Sequence, residues 1–270
     1  MVNRQSMLNR ERLSIVVATI LLAYTLTKFV NVPSRVFTLS FLGIIIPLTI
    51  NFTTIITASV AGMTASGTDW LLRDHHKLEN KSTLPHLLLP ALTAWILSVI
   101  LSHLPNDPLW WIVFIVGGIF LLLVIFAEFI VLDEGDIHRP FAIIMLSALS
   151  YAMFLSLLVA LRSANLRLVM TLPAVAISSG ALSLRVISLQ NPDQLKFPEA
   201  MACLIIVVQL TAALHYLPIS SLSFGFVLLG TLYATVNLIT TVSRETFSRN
   251  SLIEPVSVLI LLWGLALLLN

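Results

Sequence analysis

Charge is the scarcest feature of this sequence. Only 10% of its 270 residues are Asp, Glu, Lys or Arg, against roughly 25% in a soluble domain. By contrast 58% are hydrophobic, and the mean hydropathy is +0.98. A chain so poor in charge cannot clothe a water-facing surface. It reads as one integral membrane domain over residues 1–270, with no room for a sizeable soluble domain. Cysteine is almost missing too: Cys203 stands alone inside an apolar run, which excludes a disulfide framework, a thiolate metal cluster and a CxxC redox motif. The formal net charge of +2 gives no basis for a nucleic-acid partner. HExxH, GxSxG, P-loop and dinucleotide-type glycine patterns are absent, so no enzyme class marked by those motifs is indicated and no cofactor is required.

What is present is long apolar runs. A span needs about 20 mostly apolar residues, and that rule predicts nine: 13–31, 51–72, 85–104, 109–132, 140–162, 167–189, 197–217, 220–242 and 253–269. Proline and polar residues mark the joints, as in "LPNDP", "DEGDIHRP", "NPDQLKFP" and "LPIS". Pro140 and Pro198 fit the first turn of a helix, where a missing amide hydrogen costs nothing. The first run follows Arg4, Arg10 and Arg12 without a small-x-small cleavage site, so it is expected to be a retained signal anchor. Residues 35–51 alternate in the manner of a strand and contain Gly43 and Pro47, which predicts a short interfacial hairpin or re-entrant segment rather than a tenth span. The positive charges agree with that count. With nine spans Arg4, Arg10, Arg12, Arg73, Lys77, Lys81, Arg139, Lys196, Arg244 and Arg249 share one side, and Lys28, Arg35, Arg162 and Arg167 share the other. The expected fold is therefore an all-α polytopic transmembrane helical bundle, N-terminus cytoplasmic and C-terminus outside.

Polar residues in such a chain are the best pointers to function, because each is costly in lipid. On the second span Ala58, Gly62 and Ser66 form a small-residue stripe, and at 100° per residue Asp69 lies close to it, which predicts a face that another helix approaches. Arg73 follows Asp69 by one turn, a favourable order for an ion pair. Glu128 near the end of span four, Arg185 near the end of span six behind Ala174, Ser178 and Ala181, and Glu199 at the start of span seven are expected at one depth. Asp69, Arg73, Glu128, Arg185 and Glu199 thus form a candidate polar pocket open to the cytoplasm, with Arg185 as the anion contact and a possible partner for Asp69. The plainer alternative is a set of ion pairs locking helix ends.

The histidines raise metal and haem readings. His75 and His76, with Asp133, Asp136 and His138 of "DEGDIH", carry oxygen and nitrogen ligands on one predicted surface. Adjacent histidines point about 100° apart on a helix, however, so a solvated charged turn is favoured over a metal site. His103 and His215 sit near equal depth on two helices, the arrangement axial ligands require, but boundary histidine beside Tyr216 is an ordinary interfacial anchor.

The segments "GTDWLLR" (67–73), "AEF" around Glu128 and "ALHYLPIS" (213–220), in that order, resemble an uncharacterised family of polytopic bacterial inner-membrane proteins, a domain of unknown function of the Chloroflexota type. The resemblance covers most of the chain and implies a bacterial inner-membrane address; it transfers no site residues. The leading functional expectation is a structural or accessory subunit, with the lipid bilayer and other membrane protein subunits as partners. A transporter or lipid-binding protein using the polar pocket is the alternative, and an intramembrane enzyme acting on lipid is the third reading.

Overall fold

A computed structural model describes residues 10–29, 35–41, 44–50, 52–73, 84–105, 107–132, 135, 137–190, 196–243 and 249–269. Among them the chain forms nine helices and one hairpin. Helix α1 (Arg10–Phe29) leads into strands β1 (Arg35–Phe41) and β2 (Ile44–Ile50). Then follow α2 (Phe52–Arg73), α3 (Leu84–His103), α4 (Pro108–Leu132), α5 (Arg139–Ser163), α6 (Leu168–Gln190), α7 (Phe197–Leu214), α8 (Ser221–Ser243) and α9 (Arg249–Leu268).

The two strands pair antiparallel, from Arg35 opposite Ile50 to Phe41 opposite Ile44, with Thr38 opposite Pro47. Each strand of a two-stranded ribbon has a free edge, and that is where proline is tolerated. A ribbon with open edges leaves backbone groups unpaired, so it does not cross hydrocarbon by itself.

Among the described residues six helical stretches are long and apolar enough to cross a membrane: Pro85–His103, Pro108–Leu132, Arg139–Ser163, Leu168–Gln190, Phe197–Leu214 and Ser221–Val242. Nine spans were expected, and the other three helices fall short for two reasons. In α1 and α9 the apolar stretches are shorter, Leu13–Thr25 and Leu252–Leu268. Helix α2 is diluted by threonine and serine, as "FTTIITASVAGMTASGTDW" shows.

Packing divides the bundle into two apolar cores that share α3 and α4. One gathers Val16, Ile20 and Tyr24 of α1, Val60 and Leu71 of α2, Leu97 of α3 and Leu121 of α4. The Tyr24 hydroxyl is buried there and donates to the Ala94 carbonyl at 2.5 Å, as a buried phenol must. Gly67 meets Val16 so closely that a Cβ would lie 2.7 Å from its side chain. The second core runs from α3 through α8, around Phe154, Leu157, Leu182, Val207, Phe224 and Leu228. Helix α9 closes on α8, with the Ser223 hydroxyl donating to Ala266 O at 2.7 Å and Tyr233 donating to Glu254 Oε1 at 2.9 Å.

The small-residue stripe of α2 faces the other way from the expectation. Ala58, Gly62 and Ser66 are exposed, and nothing lies within 4 Å of a Cβ built on Gly62. The face that packs on α1 and α3 instead carries Val60, Thr64, Thr68 and Leu71. The stripe of α6 does turn inward: Ser178 is buried, and Ala174 and Ala181 pack against the second core.

Candidate functional site: a buried His–Glu–Arg cluster

Three helices each bring one ionisable side chain to a common point near one end of the bundle. Glu128 lies about one turn before the end of α4, Arg185 about one turn before the end of α6, and His86 in the first turn of α3. Helix α3 packs on both α4 and α6, so the long side chains of Glu128 and Arg185 meet beside it.

The geometry is a forked ion pair with a third member. Arg185 Nε donates to Glu128 Oε1 at 2.9 Å, and Arg185 Nη2 donates to Glu128 Oε2. Two parallel charge-assisted bonds fix both position and orientation, which a lysine could not do. Arg185 Nη1 reaches the Ser188 hydroxyl at 3.4 Å, and that hydroxyl donates back to the Arg185 carbonyl at 2.8 Å. The Glu128 side chain is 0% exposed and that of Arg185 is 3% exposed, so the pair is neutral and sealed from water.

His86 occupies the open edge, its side chain 17% exposed. Its Nδ1 lies 2.9 Å from Glu128 Oε2 and 3.1 Å from Arg185 Nη2. A guanidinium only donates and a carboxylate only accepts. One ring nitrogen therefore serves either Glu128 as a donor or Arg185 as an acceptor, and the choice fixes the tautomer. Four residues on, Pro90 interrupts α3; lacking an N–H, it cannot close the helical bond to the His86 carbonyl.

Several expected site residues lie elsewhere. The carboxylate partner of Arg185 is Glu128, not Asp69, and its remaining partners are His86 and Ser188. Asp69 is half-buried on α2, which packs on α1 and α3. Glu199 is half-buried in the first turn of α7. Arg73 closes α2, and its side chain lies outside the described residues, as do His75, His76, Asp133 and Asp136. His138 is exposed in the turn before α5. Among the described residues no three His, Cys, Asp or Glu side chains converge as a metal site. His103 turns back on its own helix, Nδ1 lying 2.8 Å from the Val99 carbonyl, and His215 sits beside Arg162 at the α7–α8 connection.

His86, in the "LPH" that opens α3, is the cluster member absent from the residues expected at the site. The usable signal was its depth: a histidine two residues into an apolar helix faces the same layer as an acid one turn from the end of the next.

A model of the family described as "Protein of unknown function (DUF5656)" matches residues 32–269. The chain belongs to that family. The match takes in the hairpin and all of α2 to α9, so all three residues of the cluster fall within the DUF5656 region. The family is uncharacterised, in agreement with the resemblance drawn from the short motifs. No curated protein and no solved structure matches the chain.

Proposed function

We infer that this DUF5656 protein is a structural or accessory subunit of a membrane assembly. It is a single domain of nine spans in a bacterial inner membrane, N-terminus cytoplasmic. The observation that carries the reading is the exposed face of α2. Where the described helices turn toward lipid they offer bulky side chains, as α4 does with Ile112, Ile115, Ile119 and Phe126. Helix α2 exposes Ile55, Met63 and Trp70 as well, but among them it presents a run of small exposed residues, Ala58, Ser59, Gly62 and Ser66. The two hydroxyls are satisfied within the helix, Ser59 on the Ile55 carbonyl at 2.8 Å and Ser66 on the Gly62 carbonyl at 2.9 Å. Small residues with internally bonded hydroxyls let a second helix come close, and membrane helices associate through such faces because lipid gives them no hydrophobic drive. The His86–Glu128–Arg185 cluster then acts as a clamp that sets the packing of α3, α4 and α6. The asymmetry of Lys and Arg supports the orientation.

Extraction from native membranes in mild detergent tests this. The protein is expected in a complex, and Gly62→Leu is expected to release it while leaving its own thermal midpoint unchanged, since no side chain occupies that space. A lone wild-type monomer would sink the reading.

A second reading, a transporter or lipid-binding protein, is favoured by one observation: His86 joins the sealed Glu128–Arg185 pair to a partly exposed edge. Intramembrane His–Glu clusters of this kind carry protons in coupled transport. Proteoliposomes that show no proton flux dependent on Glu128 would remove it.

A further inference from the structure

At the opposite end of the bundle stands a cation with no acid paired to it among the described residues. Arg162, in the last turn of α5, donates from Nη1 to the His215 carbonyl at 2.5 Å, and from Nη2 to the carbonyls of Leu217 at 2.6 Å and Ile219 at 3.5 Å. Its guanidinium carbon lies 5.5 Å from the centre of the Phe224 ring. These contacts hold the group rigidly over the α7–α8 connection and neutralise none of its charge. Neither the α5–α6 turn, "SANLR", nor the α7–α8 connection, "HYLPISS", contains an acidic residue, and Arg167 adds a second positive charge there.

Arg162 borders a cavity of about 120 Å³, shared with Asn165, Thr171 and His215. A single water needs only about 10–15 Å³ of such space, so the cavity admits a polyatomic group. Its lining is rich in donors. A guanidinium carries five N–H groups and the three carbonyls use three of them. Asn165 sits in the left-handed region at φ 49°, where asparagine is tolerated. His215 Nδ1 is buried and hydrogen-bonded to nothing among the described residues. Burial, and then the charge of Arg162, hold the His215 imidazole below its ordinary pKa, leaving a neutral ring that offers one N–H. The lining also holds the apolar Leu161, Leu166 and Phe224, and next to these residues in sequence Val169, Met170 and Leu217 are exposed apolar side chains.

We propose that this cavity is an anion site for a phosphate group, in which Arg162 pairs with the phosphate oxygens, Asn165 and His215 donate to them, and the apolar rim receives the acyl chains of a phospholipid. Partly buried charge without a counter-ion is costly, and a phosphate supplies the missing partner. The site is independent of the α2 face and of the His86 cluster.

Full-length protein in a phosphate-free mild detergent, titrated with dihexanoyl phosphatidic acid and separately with inorganic phosphate and followed by native mass spectrometry, tests the assignment. One lipid per chain is expected, weakened about tenfold or more by Arg162→Lys, whose ammonium lacks the two guanidinium N–H groups that the carbonyls leave free. Binding of the lipid alone assigns the head group. Binding of both ligands supports the phosphate site and makes the acyl contacts dispensable. Binding of neither overturns the proposal. Because Arg162 also secures three carbonyls, Asn165→Asp serves as the second variant: it keeps side-chain shape and places a negative charge on the rim. Unchanged affinity in a folded Asn165→Asp protein, or in folded Arg162→Lys, overturns the proposal as well.

Discussion

Two arginines at opposite ends of one bundle have been given different answers to the same electrostatic problem. Arg185 is buried and reaches a carboxylate, Glu128, from a helix 57 residues away in sequence. Arg162 is half-buried and, among the described residues, its guanidinium bonds to backbone carbonyls and lies near an aromatic ring. In the first case charge is cancelled inside the protein, and the product is a fixed helix arrangement. In the second the charge is left standing beside a cavity, and the product is a place for something else to bind. A buried cation is thus not one kind of evidence: what decides its meaning is whether the chain supplies the counter-charge.

The largest effect should come from breaking the pair that is already closed. Arg185→Met leaves the buried Glu128 carboxylate without its guanidinium, with only the partly exposed His86 ring beside it. Breaking one side of a buried ion pair costs about 3–5 kcal/mol, so the thermal midpoint in detergent should fall steeply and the yield of folded protein with it. The double variant Arg185→Met, Glu128→Leu removes both charges and should recover most of that loss, since a well-packed apolar replacement is often neutral. If the double variant is as unstable as the single one, the cluster is not an ion-pair clamp.

The pair also shows how far the sequence could be read. Glu128 and Arg185 were placed at one depth because each stands about one turn from the end of an apolar run, and depth follows from counting. Which acid faces Arg185 does not follow from counting, because it depends on the rotation of α4 and α2 about their axes. Helix α4 is so uniformly apolar that its buried and lipid faces, Val124 and Ile125 against Ile115 and Ile119, read alike. That also explains the reversed stripe of α2. A small-residue face is legible as a surface for close approach, but the sequence does not say whether the approaching helix belongs to the same chain. The strands at 35–50 were legible from alternation together with Gly43 and Pro47, which left a hairpin and a re-entrant segment as alternatives. Arg162 was used only to orient the chain, since its partners are carbonyls of a connection and carbonyls leave no mark in a sequence.

A smaller loss is expected at the open end. Arg162→Met removes bonds to the carbonyls of His215, Leu217 and Ile219, but these lie near the surface, where water can replace the donor. About 1.5–3 kcal/mol is the scale for a hydrogen bond involving a charged group. Urea or thermal unfolding should therefore rank Arg162→Met clearly below Arg185→Met; an equal or larger loss at Arg162 would erase the contrast between the ends. Below both comes His86→Leu, at about 1 kcal/mol. Arg185 keeps its fork to Glu128 in that variant, and only one contested contact at a partly exposed edge disappears.

The finest test uses proton concentration. His215 has a folded-state pKa below its ordinary value, from burial first and the Arg162 charge second. When the folded pKa of a base is depressed, the unfolded chain binds more protons in the window between the two values, so stability rises with pH there. Above the ordinary histidine value, about 6.5, this contribution is fully present, and it is lost as pH falls toward the depressed value. The thermal midpoint of wild type should therefore decline between neutral and mildly acidic pH by a small amount that His215→Gln abolishes. Arg162→Met removes the second cause and leaves the first, so its decline should be shallower than that of wild type without vanishing. A decline that is the same in wild type and Arg162→Met would mean that the guanidinium charge does not act on the His215 ring and that burial alone holds its pKa down.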